Sequence, residues 1–138
     1  MIRMLKLIHS DEQGQSLAEV ALIVPLLLLL LVGVADFGRA FYSYIAITNA
    51  AREGARHGTR FPSPLLEGSV AAIKEVVKGE LVEQGIAIAD DMIDVDSSSG
   101  SSITVTVIHP FSTVLGGIVG RSVITLTNSA EMMWFDTP

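Results

Sequence analysis

The sequence predicts an α+β protein: a long N-terminal membrane-spanning helix, then a small domain of one helix and a three-stranded antiparallel sheet. Three observations lead there. An apolar run covers residues 20–35, and residues 26–31 within it are all leucine. Helical spacing of side chains continues beyond that run to about Arg60. After Asp91, three stretches alternate apolar and polar residues with the period of a strand. The chain has 138 residues, the size of one small domain plus an anchor.

The first element is the apolar run. Residues 17–35 give about 19 positions, close to the roughly 20 that a helix needs to span a bilayer. Pro25 lies inside it and removes one backbone donor, which membrane helices tolerate when neighbours re-satisfy the backbone. Beyond the run, Phe37, Phe41, Tyr44, Thr48, Ala51 and Ala55 recur at alternating spacings of four and three, one face of a helix. Small residues dominate the far end of that face and permit close approach of a neighbouring element. Arg52, Arg56 and Arg60 form a basic stripe at i, i+4 and i+8. Such a stripe is either a solvated face or a set of partners for acids on a neighbouring subunit, and exposed charges alone contribute little. Phe61-Pro62-Ser63-Pro64 ends the helix, because proline lacks a donor and restricts the residue before it.

The second helix is capped near Ser63 and carries Val70, Ile73, Val77 and Leu81 on one face, with Gly85 as its stop. The first strand alternates Ile93 and Val95 with Asp94 and Asp96. The second alternates Ile103, Val105 and Val107 with Thr104, Thr106 and Ile108. The third, longer strand combines residues 123–127 and 130–134. A serine-rich turn, residues 97–102, joins the first two. Residues 111–120 are apolar and rich in glycine and join the second strand to the third. They either pack over the sheet or touch a membrane or partner, since exposed apolar loops mark contact sites.

Composition narrows the function. Net charge is −6, which argues against a nucleic-acid partner, and acids cluster between Glu80 and Asp96. Mean hydropathy is +0.51, and the excess lies near the N-terminus. The chain has no cysteine, so disulfides and thiol chemistry are excluded. Asp94-x-Asp96-x-Ser98-x-Gly100 faintly resembles a calcium loop, but the glycine falls one place late and no glutamate follows at the proper distance. His9, His57 and His109 lack metal-ligand spacing. There is no nucleophile elbow, P-loop or dinucleotide fingerprint. The sequence therefore reads as non-enzymatic, with neither cofactor nor metal.

The residue that needs most explanation is Glu19, an acid at the head of the apolar run and five residues after Gly14. A charged group at the centre of a bilayer costs roughly 2.5–3.5 kcal/mol on insertion scales, so such residues are usually paired and functional. Cleavage after Gly14 would make Gln15 a new N-terminus, with a cationic amino group about one helical turn from Glu19. The run then has three readings. It is a prepilin-type segment with a basic leader (Arg3, Lys6) cut at Gly14, or an uncut membrane anchor, or a signal peptide cut at the small-x-small site Gly33-Val34-Ala35. The run exceeds the usual 7–15 residues of a signal peptide's apolar region. Basic residues on both sides leave the orientation open.

An ordered set of motifs adds to this reading. It comprises Gly14, Glu19 with Ala21, Pro25 before the leucines, Asp36-Phe37-Gly38-Arg39 and Asn49-Ala50-Ala51-Arg52-Glu53-Gly54-Ala55-Arg56. Together they closely resemble the TadE-like family of pilus-assembly proteins, found in the tight-adherence (Flp-type) systems of bacteria. The resemblance covers about a third of the chain, residues 14–58. It implies processing by a prepilin peptidase between Gly14 and Gln15, and a minor, pilin-like role beside other pilin-like subunits and the pilus assembly platform. It also implies a single-pass protein in inner-membrane lipid with its C-terminal domain outside the cytoplasm. Pro25, Asp36, Gly38, Arg39, Ala51, Arg52, Ala55 and Arg56 would then serve helix packing, and Glu19 the register between subunits. Gln15 departs from ordinary type IV pilins, in which an aromatic usually takes the first mature position. The organisation expected is a leader over 1–14, a membrane-spanning and extended helix over 15–60, and an exported α+β domain over 61–138. The competing reading is a secreted or uncut membrane-anchored extracytoplasmic binding domain.

Overall fold

A computed structural model describes residues 2–61, 67–97 and 102–133. It bears out the expected class: one long apolar helix leads into a head made of a helix and a three-stranded antiparallel sheet. The long helix, α1 (Ile2–Gly58), is unbroken. The second helix is α2 (Glu67–Glu83). The strands β1 (Ile93–Asp96), β2 (Ser102–Ser112) and β3 (Val123–Met133) lie in the order β1-β2-β3, and a short helix, α3 (Val114–Val119), joins the last two.

Sequence period explains each element. In α2, Ile73, Val77 and Leu81 recur every four residues and are fully buried. The helix stops at Gly85, whose φ of 74° suits glycine. Its amide donates to the Val82 carbonyl, and the Ile86 amide donates to the Leu81 carbonyl, so the last carbonyls of the helix are satisfied. In β2, Ile103, Val105 and Val107 face the core, and Thr104 and Thr106 point the other way. Register places Val105 between Val95 and Ala130, and Val107 between Ile93 and Asn128. The far face of the sheet carries Asp94, Asp96, Thr127, Ser129 and Glu131, the polar pattern of a sheet solvated on one side.

Both helices cover the apolar face of this sheet. Residues 61–138 do not build the core alone: Ala46, Ile47, Ala50, Ala51 and Ala55 of α1 pack with Ile73, Val77, Leu81, Ile93, Ile103, Val105 and Val107. Glycines on α1 set the spacing. A Cβ added at Gly54 would stand 2.5 Å from Val77 Cγ2, and one at Gly58 would collide with Ile103 Cδ1. Two cross-links hold the head at mid-height: Tyr42 donates to Gln84 Oε1 at 2.6 Å, and Asn128 donates to Tyr44 at 3.0 Å. Lys74 donates to the Asp90 carbonyl and Lys78 pairs with the Asp90 carboxylate, tying the turn before β1 to α2. The Lys78 ammonium holds the Asp90 carboxyl below the ordinary carboxylate range.

Some local expectations change. The stripe of Phe37, Phe41, Tyr44, Thr48, Ala51 and Ala55 exists, but its first two members are not packed on the head. Phe37 is 73% exposed and stacks on Phe41, which is also exposed. The packed face lies one residue away, through Asp36, Ser43, Ile47, Ala50 and Gly54, where small side chains let the sheet come close. Ser102 belongs to β2 and is buried rather than part of a turn, and Phe111 and Ser112 are still in β2 rather than in the connection. The expected cap near Ser63, the breaker at Pro62 and Pro64, most of the serine turn and Trp134 lie outside the described residues.

Gly38 tests this packing by contrast with Gly54, because a Cβ at Gly38 meets nothing within 4 Å. Gly54→Val is expected to destabilise the head by about 1–3 kcal/mol through overpacking. Gly38→Ala is expected to stabilise α1 by about 0.5–1 kcal/mol. Denaturant unfolding of the full chain in detergent, followed by circular dichroism, reads both.

Candidate functional site

The residues singled out in the sequence all lie on α1, in three groups along its length. The first group is at the head of the apolar run. Gln15 and Glu19 stand one turn apart on the exposed surface, and the Gln15 side-chain amide donates to Glu19 Oε1 at 3.4 Å. Among the described residues, an added Cβ at Gly14 meets nothing within 4 Å. From Leu17 to Leu31, the large apolar side chains are exposed all round the helix. Pro25 sits inside the helix and leaves the Ala21 carbonyl without its usual donor.

The second group is the Asp36-Phe37-Gly38-Arg39 motif. Asp36 is only 7% exposed. Its Oδ2 accepts from the backbone N–H of Leu115 at 2.7 Å, and its Oδ1 accepts from Arg39 at 3.2 Å. A buried carboxylate needs such charge-assisted donors. The Arg39 guanidinium also stands over the Phe111 ring, 5.2 Å from its centroid, which is cation–π range. Asp36 therefore clasps the connection between β2 and β3 to α1, and Arg39 closes the clasp from outside. Gly33, inside the apolar run, lies against Leu115: an ideal Cβ there would be 3.7 Å from Leu115 Cδ2. Phe37 and Gly38 are exposed.

The third group is the Asn49 to Arg56 motif. It splits by helical face. Ala50, Ala51, Gly54 and Ala55 are buried in the core. Arg52, Glu53 and Arg56 point outward, and Arg56 forms a two-pronged ion pair with Glu53 in its own helix. Arg56 is thus engaged within the chain, while Arg52 and Arg60 are exposed.

The Leu115 amide, the partner of Asp36, is not readable in the sequence, because a backbone donor 79 positions away carries no signature in side-chain pattern. Nor is the role of Tyr42 and Tyr44 as tethers to Gln84 and Asn128. Among the described residues, no group of three or more His, Asp or Glu side chains could hold a metal ion. Asp94 and Asp96 lie on β1, facing away from the core, and Ser98 and Gly100 fall outside the described residues. His109, on β2, is partly desolvated, which pushes its imidazole below its ordinary value.

The arrangement is a small head carried on one continuous helix whose first half is long and apolar enough to cross a membrane. Residues 14–56 match the family model described as TadE-like protein, the same stretch on which the resemblance rests. No curated protein and no solved structure matches the chain. The match ends within α1, so it contains all three groups above and none of the sheet.

Replacing Asp36 should loosen the clasp without unfolding the head. In Asp36→Ala, amide hydrogen exchange at residues 114–116 should quicken while the amides of β2 between Ile103 and Val107 keep their protection. Asp36→Asn retains an acceptor and should fall between the two. Exchange measured by mass spectrometry on the full chain distinguishes these outcomes.

Proposed function

We propose that this protein is a non-enzymatic, pilin-like component of a tight-adherence (Flp-type) pilus assembly system that assembles through its N-terminal helix. The observation that carries this reading is the family match over residues 14–56, which takes in both the exposed apolar run of α1 and the face that packs in the head. A minor component associated with such pili is what the family suggests. The finer steps belong to the same proposal and rest on the family resemblance. A prepilin peptidase cuts between Gly14 and Gln15, removing a leader over 1–14. The helix over 15–60 stays in the inner membrane, with the domain over 61–138 outside the cytoplasm. The peptidase, other pilin-like subunits, the assembly platform and membrane lipid are the partners.

Glu19 is the register element in this reading. The new amino group of Gln15 would lie one turn away, within reach of Glu19 in the same chain or an adjacent one. The positive end of the helix dipole adds roughly 0.3–1 kcal/mol in favour of an acid there. These terms offset the cost of bringing a carboxylate to the edge of the bilayer. Phe37, Gly38 and Arg52, exposed on α1 and within the family match, are the surface on which neighbouring helices would pack.

A signal peptide cut after Ala35 is less favoured by the geometry. Gly33-Val34-Ala35 lies in mid-helix, Gly33 packs on Leu115, and Asp36 holds the head to the helix immediately beyond. Cleavage there would sever α1 at the clasp.

Two variants test the proposal. Gly14→Ile should leave the leader attached, since the peptidase must approach a backbone that a bulky side chain shields. Among the described residues nothing packs at Gly14, so this change should leave the fold intact. Mass spectrometry should find Gln15 as the N-terminus of the wild type and a retained leader in the variant; normal maturation of the variant would sink the prepilin reading. Glu19→Gln should insert and be cleaved normally yet fail to join the assembly. Membrane fractionation, leader removal and co-purification with pilus components read the three steps. Intact assembly at normal protein level would remove the registering role of Glu19.

A further inference from the structure

We propose that the β2–β3 connection is a membrane-docking tip that seats the head on the bilayer crossed by α1. Depth is the first argument. At 1.5 Å per residue, positions 17–35 span about 28 Å, close to the roughly 30 Å of hydrocarbon. The far edge of the hydrocarbon therefore falls near Ala35. Leu115 packs against Gly33, two residues inside that edge, and its amide is fixed to Asp36, one residue outside it. The connection is thus held at the level where the apolar run of α1 ends.

The chemistry of the connection suits that level. Val114 and Ile118, one turn apart on α3, are 57% and 67% exposed. Val123 and Ile124, at the start of β3, are 57% and 42% exposed. The segment is closed on itself: Thr113 donates its amide to Ser122, and Arg121 donates its amide to Gly116. The four apolar side chains therefore belong to one compact tip that leaves them uncovered. Arg39 and Arg121 are exposed beside it, at the height where lipid phosphates lie, and the nearby carboxylate of Asp36 is buried and paired. The outer face of the sheet, by contrast, is polar and carries acids. Apolar side chains at the bilayer edge with a cationic rim make the occupant lipid, continuous with the lipid around α1.

The inference rests on α1 crossing the membrane, and the test separates the two. The chain has no cysteine, so single nitroxide labels can be placed without removing any residue. Leu28→Cys, Ile118→Cys and Ser129→Cys are all at exposed positions and should leave the fold unchanged. The full chain is reconstituted into vesicles of phosphatidylcholine and phosphatidylglycerol, and the collision of each label with oxygen and with a water-soluble nickel chelate is measured. Labels at 28 and 118 should favour oxygen, and the label at 129 should favour nickel. A label at 118 that follows 129 while 28 stays in lipid overturns the docking and leaves the span intact. A label at 28 that favours nickel overturns both. Shielding of 118 from both reagents, with spin broadening that disappears on dilution with unlabelled chain, would assign the tip to a second copy instead and overturn the lipid assignment.

Discussion

One helix has to satisfy two solvents. Between Leu17 and Leu31, α1 presents large apolar side chains in every direction, as a helix in lipid requires, and its second half packs mostly small ones on a single face. No loop or break divides the halves. Everything in the head follows from the second half being narrow. Ala50, Gly54 and Gly58 give α2 and β2 room to approach the helix backbone, and larger residues there would push the two layers apart. The core is thus built around α1 rather than beside it.

Asp36 marks the change of solvent. It is the first acid after Glu19 on the helix and the first side chain past the apolar run. It borders the apolar run without being left bare: a backbone amide from the β2–β3 connection and an arginine one turn along take up both its oxygens. The same carboxylate is therefore both the end of the apolar segment and the point where the sheet is attached. Tyr42 and Tyr44 repeat the pattern higher up, each using its hydroxyl to reach a different element of the head. Aromatic rings at these positions serve as short struts, with the ring on α1 and the polar tip on Gln84, just past α2, or on β3.

Much of this was legible in the residues. The repeats of Ile73, Val77 and Leu81 and of Ile103, Val105 and Val107 locate α2 and β2, because periods of 3.6 and 2 admit few other structures. The motifs of the family match mark out the groups on α1. What was not legible is which side of α1 is covered. Hydrophobicity favours the line through Phe37 and Phe41, but the buried line runs through Asp36, Ser43 and Ile47, because close approach there is decided by size rather than by apolarity. The partner of Asp36 was hidden for another reason: a backbone amide is present in every residue, and only the return of β2 toward the base of α1 brings that of Leu115 within reach.

The absence of any break between the two halves of α1 has a mechanical consequence. A head on a flexible tether can point anywhere, whatever its stalk does. Here each residue of the stalk that turns about the axis turns the head with it, by about 100° for every residue of helical phase. An axial slide of one residue between neighbouring stalks, about 1.5 Å, can restore the same side-chain meshing only if it is accompanied by that rotation. Any contact made in the apolar run would therefore dictate the compass bearing of the head, with the sheet as a pointer fixed to its shaft.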